Sequence, residues 1–280
     1  MITGTTKLLG VIGHPIAHSL SPVLHNAAIA HLGLDYVYLP LPVSPDQLQQ
    51  AIAGFEAIDL QGFSVTIPHK QAIVPLLQEI SPAAKAIGAV NTVARTDSGW
   101  FGTNTDAIGF LAPLRELDRS KQRAVILGNG GAARAVVAGC QELGCTEIQV
   151  VGRDRAKLEA FRTSWPNDLP LTVHTWSDLP TLLPSADLLV NTTPIGMHPD
   201  IDRSPLEALD RLSATAIVYD LIYTPRPTKL LQQAQARGLE AIDGLEMLVQ
   251  QGAAALELWL KQPVPVAVMR QALEAALAKH

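Results

Sequence analysis

Residues 124–155 read AVILGNGGAARAVVAGCQELGCTEIQVVGRDR, and the rest of the chain is understood outward from them. An apolar run, residues 124–127, lands on Gly128-Asn129-Gly130-Gly131-Ala132-Ala133. A segment rich in Ala and Val continues to Gly144, and a second apolar run, residues 148–151, closes the unit. Strand, glycine turn, helix and strand is the order of a mononucleotide-binding βαβ unit. Gly128 permits the tight turn and Gly130 lets the backbone approach a pyrophosphate. Ala133 takes the third small position, where the helix packs on the strand. The helix start offers free N–H groups and the positive end of its dipole to phosphate. The glycines alone would also suit a plain tight turn; their strand and helix flanks favour a dinucleotide.

The second strand runs into Gly152-Arg153-Asp154-Arg155, with Lys157 beyond. NAD-binding units carry an acid here to bond the ribose hydroxyls, whereas an arginine pairs with a 2′-phosphate in a planar fork. Arg153 therefore points to NADP, and Asp154 beside it pulls the other way. The competing reading is that these cations solvate the start of the next helix.

The chain has 280 residues, 48% of them hydrophobic and 17% charged, enough for one large or two ordinary domains with real cores. Its net charge of −5 gives no reason to expect nucleic acid or an acidic membrane surface. Cys140 and Cys145 flank a helix end and suit neither a disulfide scaffold nor a metal knuckle, so reduced thiols in a cytoplasmic protein are expected. Lys7 precedes a short apolar run that meets His14-Pro15, which does not read as a secretory signal. No apolar run approaches the roughly 20 residues of a membrane helix.

Before the βαβ unit, apolar runs at 7–13, 36–42, 62–67 and 89–94 alternate with helical stretches. Ser21-Pro22, Ser44-Pro45 and Ser81-Pro82 read as helix starts, each serine a cap and each proline a first helical residue. Alternation of this kind implies a largely parallel sheet covered by helices. A helical segment over 107–117 and a charged stretch over 115–123 lead into the βαβ unit. Later strands are expected at 187–191 and 217–221, a proline-rich loop at 194–205, and helices at 245–260 and 265–278.

Polar residues stand where β/α sheets place their sites, after the strands. Ser19 and Ser21 follow the first strand, Thr66 and Lys70 the third; Asn91 and Thr92 interrupt the fourth, and Asp106 follows an Asn-Thr pair. They are expected to converge at one sheet edge, facing the dinucleotide. Each has a plainer reading. Lysines are mostly solvated, Asp106 could cap a helix, and Asn91 and Gln251 could satisfy buried backbone groups. His14, His18 and His25 lie close together, but Pro15 and Pro22 break any common helix, so no metal site is expected.

At these residues the chain resembles the shikimate dehydrogenase family. GHPIAHSLSP at 13–22 looks like the family's substrate loop, and SVTIPHK at 64–70 is similar to its N-V-T-x-P-x-K motif, with Ser64 in place of the usual Asn. GAVNT at 88–92, GTNTDAIG at 102–109, NTTPIGM at 191–197, DLIYTP at 220–225 and DGLEMLVQQ at 243–251 match in order. The resemblance implies NADPH-dependent reduction of 3-dehydroshikimate to shikimate, on the route to chorismate and the aromatic amino acids. It implies Ser19, Ser21 and Tyr223 on the substrate carboxylate, and Thr66, Asn91, Asp106 and Gln251 on the ring hydroxyls. Lys70 and Asp106 would be the catalytic pair. Gly128–Ala133, Gly152, Arg153, Asp154, Thr192, Leu221 and Gly244 would hold NADP. The chemistry agrees: hydride transfer to a ketone builds charge on oxygen, which a positioned acid must meet.

The expected fold is α/β with two domains. Residues 1–106 plus 245–280 would form a mixed or parallel α/β substrate domain, the last helix returning to it. Residues 107–244 would form a Rossmann-like NADP-binding domain. The partner is a small-molecule substrate, with no nucleic acid and no membrane; whether the chain forms a homodimer is left open. A quinate/shikimate dehydrogenase using NAD and a non-catalytic NADPH-binding sensor remain as alternatives. The sensor predicts loss of Lys70 or Asp106, and both are present.

Overall fold

Leu9, Val11 and Ile12 are almost wholly buried because their strand, β1 (Lys7–Gly13), lies between two parallel neighbours, β2 (Tyr36–Pro42) and β3 (Leu60–Val65). A strand covered on both faces needs a continuous apolar run, which LLGVI supplies. The computed structural model describes residues 2–115 and 122–278. The chain divides into two compact units, Met1–Gly109 with Leu248–His280, and Phe110–Met247.

In the first unit β1 is followed by α1 (Ser21–His31), and β2 by α2 (Leu48–Ala57). After β3 come β4 (Glu79–Ile80), α3 (Pro82–Ile87), β5 (Thr92–Thr96), β6 (Gly99–Thr103) and α4 (Asp106–Leu111). The sheet order is β2-β1-β3-β5-β6-β4. It is mixed rather than largely parallel, since β5 runs antiparallel to both β3 and β6. The β5–β6 link is a tight hairpin over Asp97-Ser98 closed by Gly99 at φ +118°, too short for any helical crossover.

Two of the serine caps differ from expectation. Ser81 accepts a hydrogen bond from the Ala84 N–H and caps α3. Ser21 does not cap α1: Leu20 holds the cap position, and Ser21 is the first helical residue with no capping bond. Ser44 precedes a 3-10 turn, Pro45–Gln47, before α2 begins. The expected segments over 107–117 and 115–123 lie partly outside the described residues.

The second unit contains β7 (Arg123–Leu127), α5 (Gly131–Glu142), β8 (Glu147–Gly152), α6 (Arg155–Thr163) and β9 (Leu171–Thr175). Then come α7 (Leu179–Leu182), β10 (Leu188–Asn191), β11 (Ile217–Asp220), α8 (Lys229–Ala236) and β12 (Glu240–Ile242). The six strands are all parallel in the order β12-β11-β10-β7-β8-β9. Counted from β7, this is the doubly wound order whose switch point, between β7 and β10, is where ligands bind. Ala133, in the first turn of α5, is fully buried in the core with Ile126 and Val150, as its small side chain allows.

The chain ends with α9 (Leu245–Leu260) and α10 (Val266–Leu277). The indole of Trp259 on α9 lies over Gly62 of β3, where a Cβ would collide with it, and its Nε1 donates to the Val93 carbonyl at 2.9 Å. This contact holds α9 on the first sheet. Beneath it His25 stacks on Tyr38, ring centroids 4.1 Å apart, and Trp259 tilts against both. Burial lowers the His25 pKa from 6.5 to about 3. The unfolded chain therefore binds a proton below pH 6.5 that the fold refuses, so stability falls with falling pH between 6.5 and 3. His25→Phe should lessen that acid sensitivity, read as the pH dependence of the urea midpoint; an unchanged dependence would exclude His25 as its source.

Candidate functional site

The first cluster of functional side chains forms at the carboxyl ends of β1, β3 and β5–β6. The loops leaving β1 and β3 run side by side: the His14 N–H donates to the Ile67 carbonyl at 3.0 Å, and Thr66 N–H to Ile12 at 3.0 Å. Gly13 allows this approach, since a Cβ there would meet Thr66 Cγ2 at 2.6 Å. Buried His69 donates from Nε2 to the Val43 carbonyl at 2.7 Å, and the Lys70 carbonyl accepts from the Val90 N–H at 2.8 Å. The turn that carries Lys70 is thus tied down on both sides. His69 is an anchor for that turn.

Lys70 Nζ lies 2.5 Å from Asp106 Oδ2, with side-chain exposures of 16% and 6%. The second carboxylate oxygen, Oδ1, accepts from Asn91 Nδ2 at 2.8 Å. Asn91 also donates to Thr105 Oγ1 at 3.0 Å and to Gln251 Oε1 at 3.4 Å. Its own Oδ1 accepts from the Thr105 N–H at 2.8 Å and from Thr92 Oγ1 at 2.9 Å. Asp106 opens α4, but the N–H it carries is satisfied by Asn104 Oδ1 at 3.0 Å, leaving the carboxylate for Lys70 and Asn91. Asn91 and Gln251 do satisfy buried groups, as the plainer reading held, and they also surround the ion pair. An ammonium with three donors and one protein acceptor retains donors for a ligand.

Ser19 Oγ accepts from the Ser21 N–H at 3.3 Å, so the two serines form one small turn at the start of α1. Among the described residues, neither the Ser21 nor the Thr66 hydroxyl has a hydrogen-bond partner, which leaves both able to bond a ligand. Tyr223 lies in the second unit, half-buried beyond β11. No group of three or more His, Cys, Asp or Glu side chains arranged to hold a metal occurs among the described residues.

The second cluster stands at the β7–β10 switch point. Gly128 has φ +104°, and a Cβ there would lie 2.6 Å from Thr192 Oγ1, which itself donates to the Leu127 carbonyl at 2.7 Å. Gly130 caps α5, no side chain bonds the first turn, and that turn carries no acid. A Cβ on Gly130 would project into open space. An uncapped helix start with open space before it fits a phosphate, so the residues present suit a dinucleotide. Asn129 lies against Gly152, whose Cβ would sit 3.4 Å from its Cγ. Gly244 lies directly on the Leu221 carbonyl, where no side chain could be accommodated.

Arg153 is exposed at the end of β8. Asp154 caps α6, accepting from the Lys157 N–H at 3.1 Å through Oδ1, with Oδ2 3.9 Å from Lys157 Nζ. The acid beside Arg153 thus has a structural task of its own.

Comparison with known proteins settles the kinship of this arrangement. Family models described as the shikimate dehydrogenase substrate binding domain, shikimate/quinate 5-dehydrogenase and the shikimate 5'-dehydrogenase C-terminal domain match residues 11–93, 112–247 and 244–274. A shikimate dehydrogenase (NADP(+)) of Trichormus variabilis is 66% identical, with 98% of each chain covered. The chain belongs to the shikimate dehydrogenase family. A shikimate dehydrogenase crystallised with NADP+ superposes with a TM-score of 0.91 at 38% identity, covering 99% of this chain and 98% of that one. Another, from Thermus thermophilus with NADP(H) and shikimate, gives 0.86 at 35% identity, covering 97% and 100%.

One feature of this family member was not anticipated from its sequence. Asp220, Asn191 and Thr228 are fully buried together at the ends of β11 and β10 and the start of α8. Asp220 accepts from Asn191 Nδ2 at 2.9 Å, Thr228 Oγ1 at 2.7 Å and the Ile222 N–H at 3.2 Å. Asn191 Oδ1 in turn accepts from the Thr193 hydroxyl at 2.7 Å. The network joins the loops that carry Thr192 and Leu221. Its only sequence signal is an Asn and an Asp ending two apolar strands. Burial, partly offset by these bonds, raises the Asp220 pKa from 3.8 to about 6. The fold holds a proton there that the unfolded chain has lost, so this contribution to stability is present below pH 3.8 and disappears as pH rises through 6. Asp220→Asn should remove that slope, about 1.4 kcal/mol per pH unit in the window, measured by denaturant unfolding from pH 4 to 7. A slope identical to the wild type would contradict the assignment.

Proposed function

We propose that the chain catalyses the reversible, NADPH-dependent reduction of 3-dehydroshikimate to shikimate, with Lys70 as general acid and base and Asp106 as its partner. The carrying observation is the short Lys70–Asp106 pair, held by Asn91 in a family whose members are named NADP-dependent shikimate dehydrogenases. On this reading the first unit binds substrate and the second binds cofactor. When bound, the nicotinamide supplies the hydride. Ser19, Ser21 and Tyr223 hold the carboxylate, while Thr66, Asn91, Asp106 and Gln251 take the ring hydroxyls. Lys70 gives a proton to the carbonyl oxygen in reduction and takes it back from the alcohol in oxidation. Asp106 fixes the direction of the ammonium, and Asn91 keeps Asp106 from turning away. Gly128, Asn129, Gly130, Gly131, Ala132 and Ala133 receive the pyrophosphate. Gly152, Thr192, Leu221 and Gly244 shape the rest of the cofactor groove, and Arg153 pairs with the 2′-phosphate. The two unpaired cysteines accord with a reducing, cytoplasmic setting. Among the described residues, no helix is long and apolar enough to cross a membrane.

The test compares kcat/KM for NADPH with NADH, and for shikimate with quinate. NADPH and shikimate should be strongly preferred. Arg153→Ser should lower kcat/KM with NADPH roughly 10- to 100-fold, the value of a charge-assisted phosphate contact, and leave NADH unchanged. Equal losses with both cofactors would remove Arg153 as selector. Preference for quinate would move the chain to the alternative activity.

A further inference from the structure

Cys140 and Cys145 take no part in the proposed reaction. Both are free, and their exposures are 0% and 5%. The end of α5 brings them together. The Cys145 N–H donates to the Cys140 carbonyl at 2.9 Å, and the Gly144 N–H donates to Gln141 at 3.0 Å. With Gly144 at φ +72°, these are the two bonds of a Schellman motif. In that motif the side chains at the Cys140 and Cys145 positions meet, commonly as an apolar contact. Here two thiols occupy it.

We propose that Cys140 and Cys145 form a reversible redox site, with Cys145 the thiol that meets hydroperoxide and Cys140 the thiol that resolves it. Cys145 lines a surface cavity of about 200 Å³ with Gln141, Gly144, Thr146 and Asp168, whereas Cys140 lies wholly within the core. The neighbouring Cys140 thiol lowers the Cys145 pKa, against opposition from burial and from Asp187. Cys140, wholly buried beside Cys145, has its pKa raised and is held protonated. The Cys145 thiolate attacks one peroxide oxygen; an S–O bond forms, the O–O bond breaks and hydroxide leaves. Cys140 sulfur then attacks Cys145 sulfur; the S–S bond forms, the S–O bond breaks, and the Cys140 proton leaves with the hydroxyl as water. Two thiols are oxidised by two electrons, and one peroxide is reduced to two waters. The disulfide protects Cys145 from the irreversible sulfinic state.

The experiment treats the native full-length protein with hydrogen peroxide and maps its peptides by mass. The wild type should lose two hydrogens, carry a Cys140–Cys145 link, and regain both thiols with dithiothreitol. Cys140→Ser should give a dimedone-trappable sulfenic acid on Cys145 that advances to a sulfinic acid dithiothreitol does not reverse. In Cys145→Ser, Cys140 should stay a thiol. Two unreacted thiols in the treated wild type, or oxidation of Cys140 without Cys145, would overturn the assignment. The wild-type arm stands even if either variant fails to fold.

Discussion

Lys70→Ala is expected to lower kcat for 3-dehydroshikimate reduction about 10²- to 10⁴-fold, the usual contribution of a positioned general acid. The fall should appear in both directions of the reaction, because one group gives and takes the same proton. The KM for NADPH should be nearly unchanged, since the groups assigned to the cofactor lie in the second unit. The loss has a physical origin in the 2.5 Å contact with Asp106. On the proposed assignment, the ammonium of Lys70, already held in place, would meet the charge that builds on the carbonyl oxygen without solvent rearrangement. Removing Lys70 also leaves a carboxylate of 6% exposure without its cation. Some loss of stability should therefore accompany the loss of rate. Asp106→Asn in the same chain should restore stability and leave the rate low, which separates the two effects.

The second large effect is expected at Gly130. A Cβ there meets nothing within 4 Å and its φ of −89° suits any residue, so Gly130→Ala should fold and melt as the wild type does. The added methyl would occupy the approach to the start of α5, where phosphate must come close to the backbone. The KM for NADPH should rise roughly 10- to 100-fold, at about 1.4 kcal/mol per decade, while substrate binding to the free protein is unaffected. Gly128→Ala would not make this distinction, because φ +104° and the 2.6 Å approach to Thr192 would strain the fold itself. Unchanged NADPH kinetics in Gly130→Ala would place the cofactor elsewhere.

Much of the second unit was legible because its signals are local. The apolar runs around Gly128–Ala133 have the lengths of buried parallel strands, and their helix carries small residues where it must pack closely. Which strands of the first sheet run antiparallel was not legible. Its antiparallel strands are short, and a buried central strand reads the same whichever way its neighbour runs. Ser21 misled because a serine before proline is the usual mark of a cap, yet the helix begins one residue earlier. Asp154 pulled against NADP until α6 showed what its carboxylate bonds. Lys70 and Asp106 stand 36 residues apart and no spacing rule joins them; their places after strands put them at one sheet edge, and the family's motifs made them a pair. The Asn191–Asp220–Thr228 network was hidden for the same reason, since pairing of strands, not proximity in the chain, brings it together.

The most direct test of the central claim is a single-turnover measurement of NADPH consumption by the protein saturated with NADPH and 3-dehydroshikimate. It compares the wild type, Lys70→Ala, Asp106→Asn and the double variant. Because the two residues act as one unit, the double variant should be about as slow as Lys70→Ala alone, far short of the product of the single losses. A Lys70→Ala protein that consumes NADPH at the wild-type rate would contradict the account.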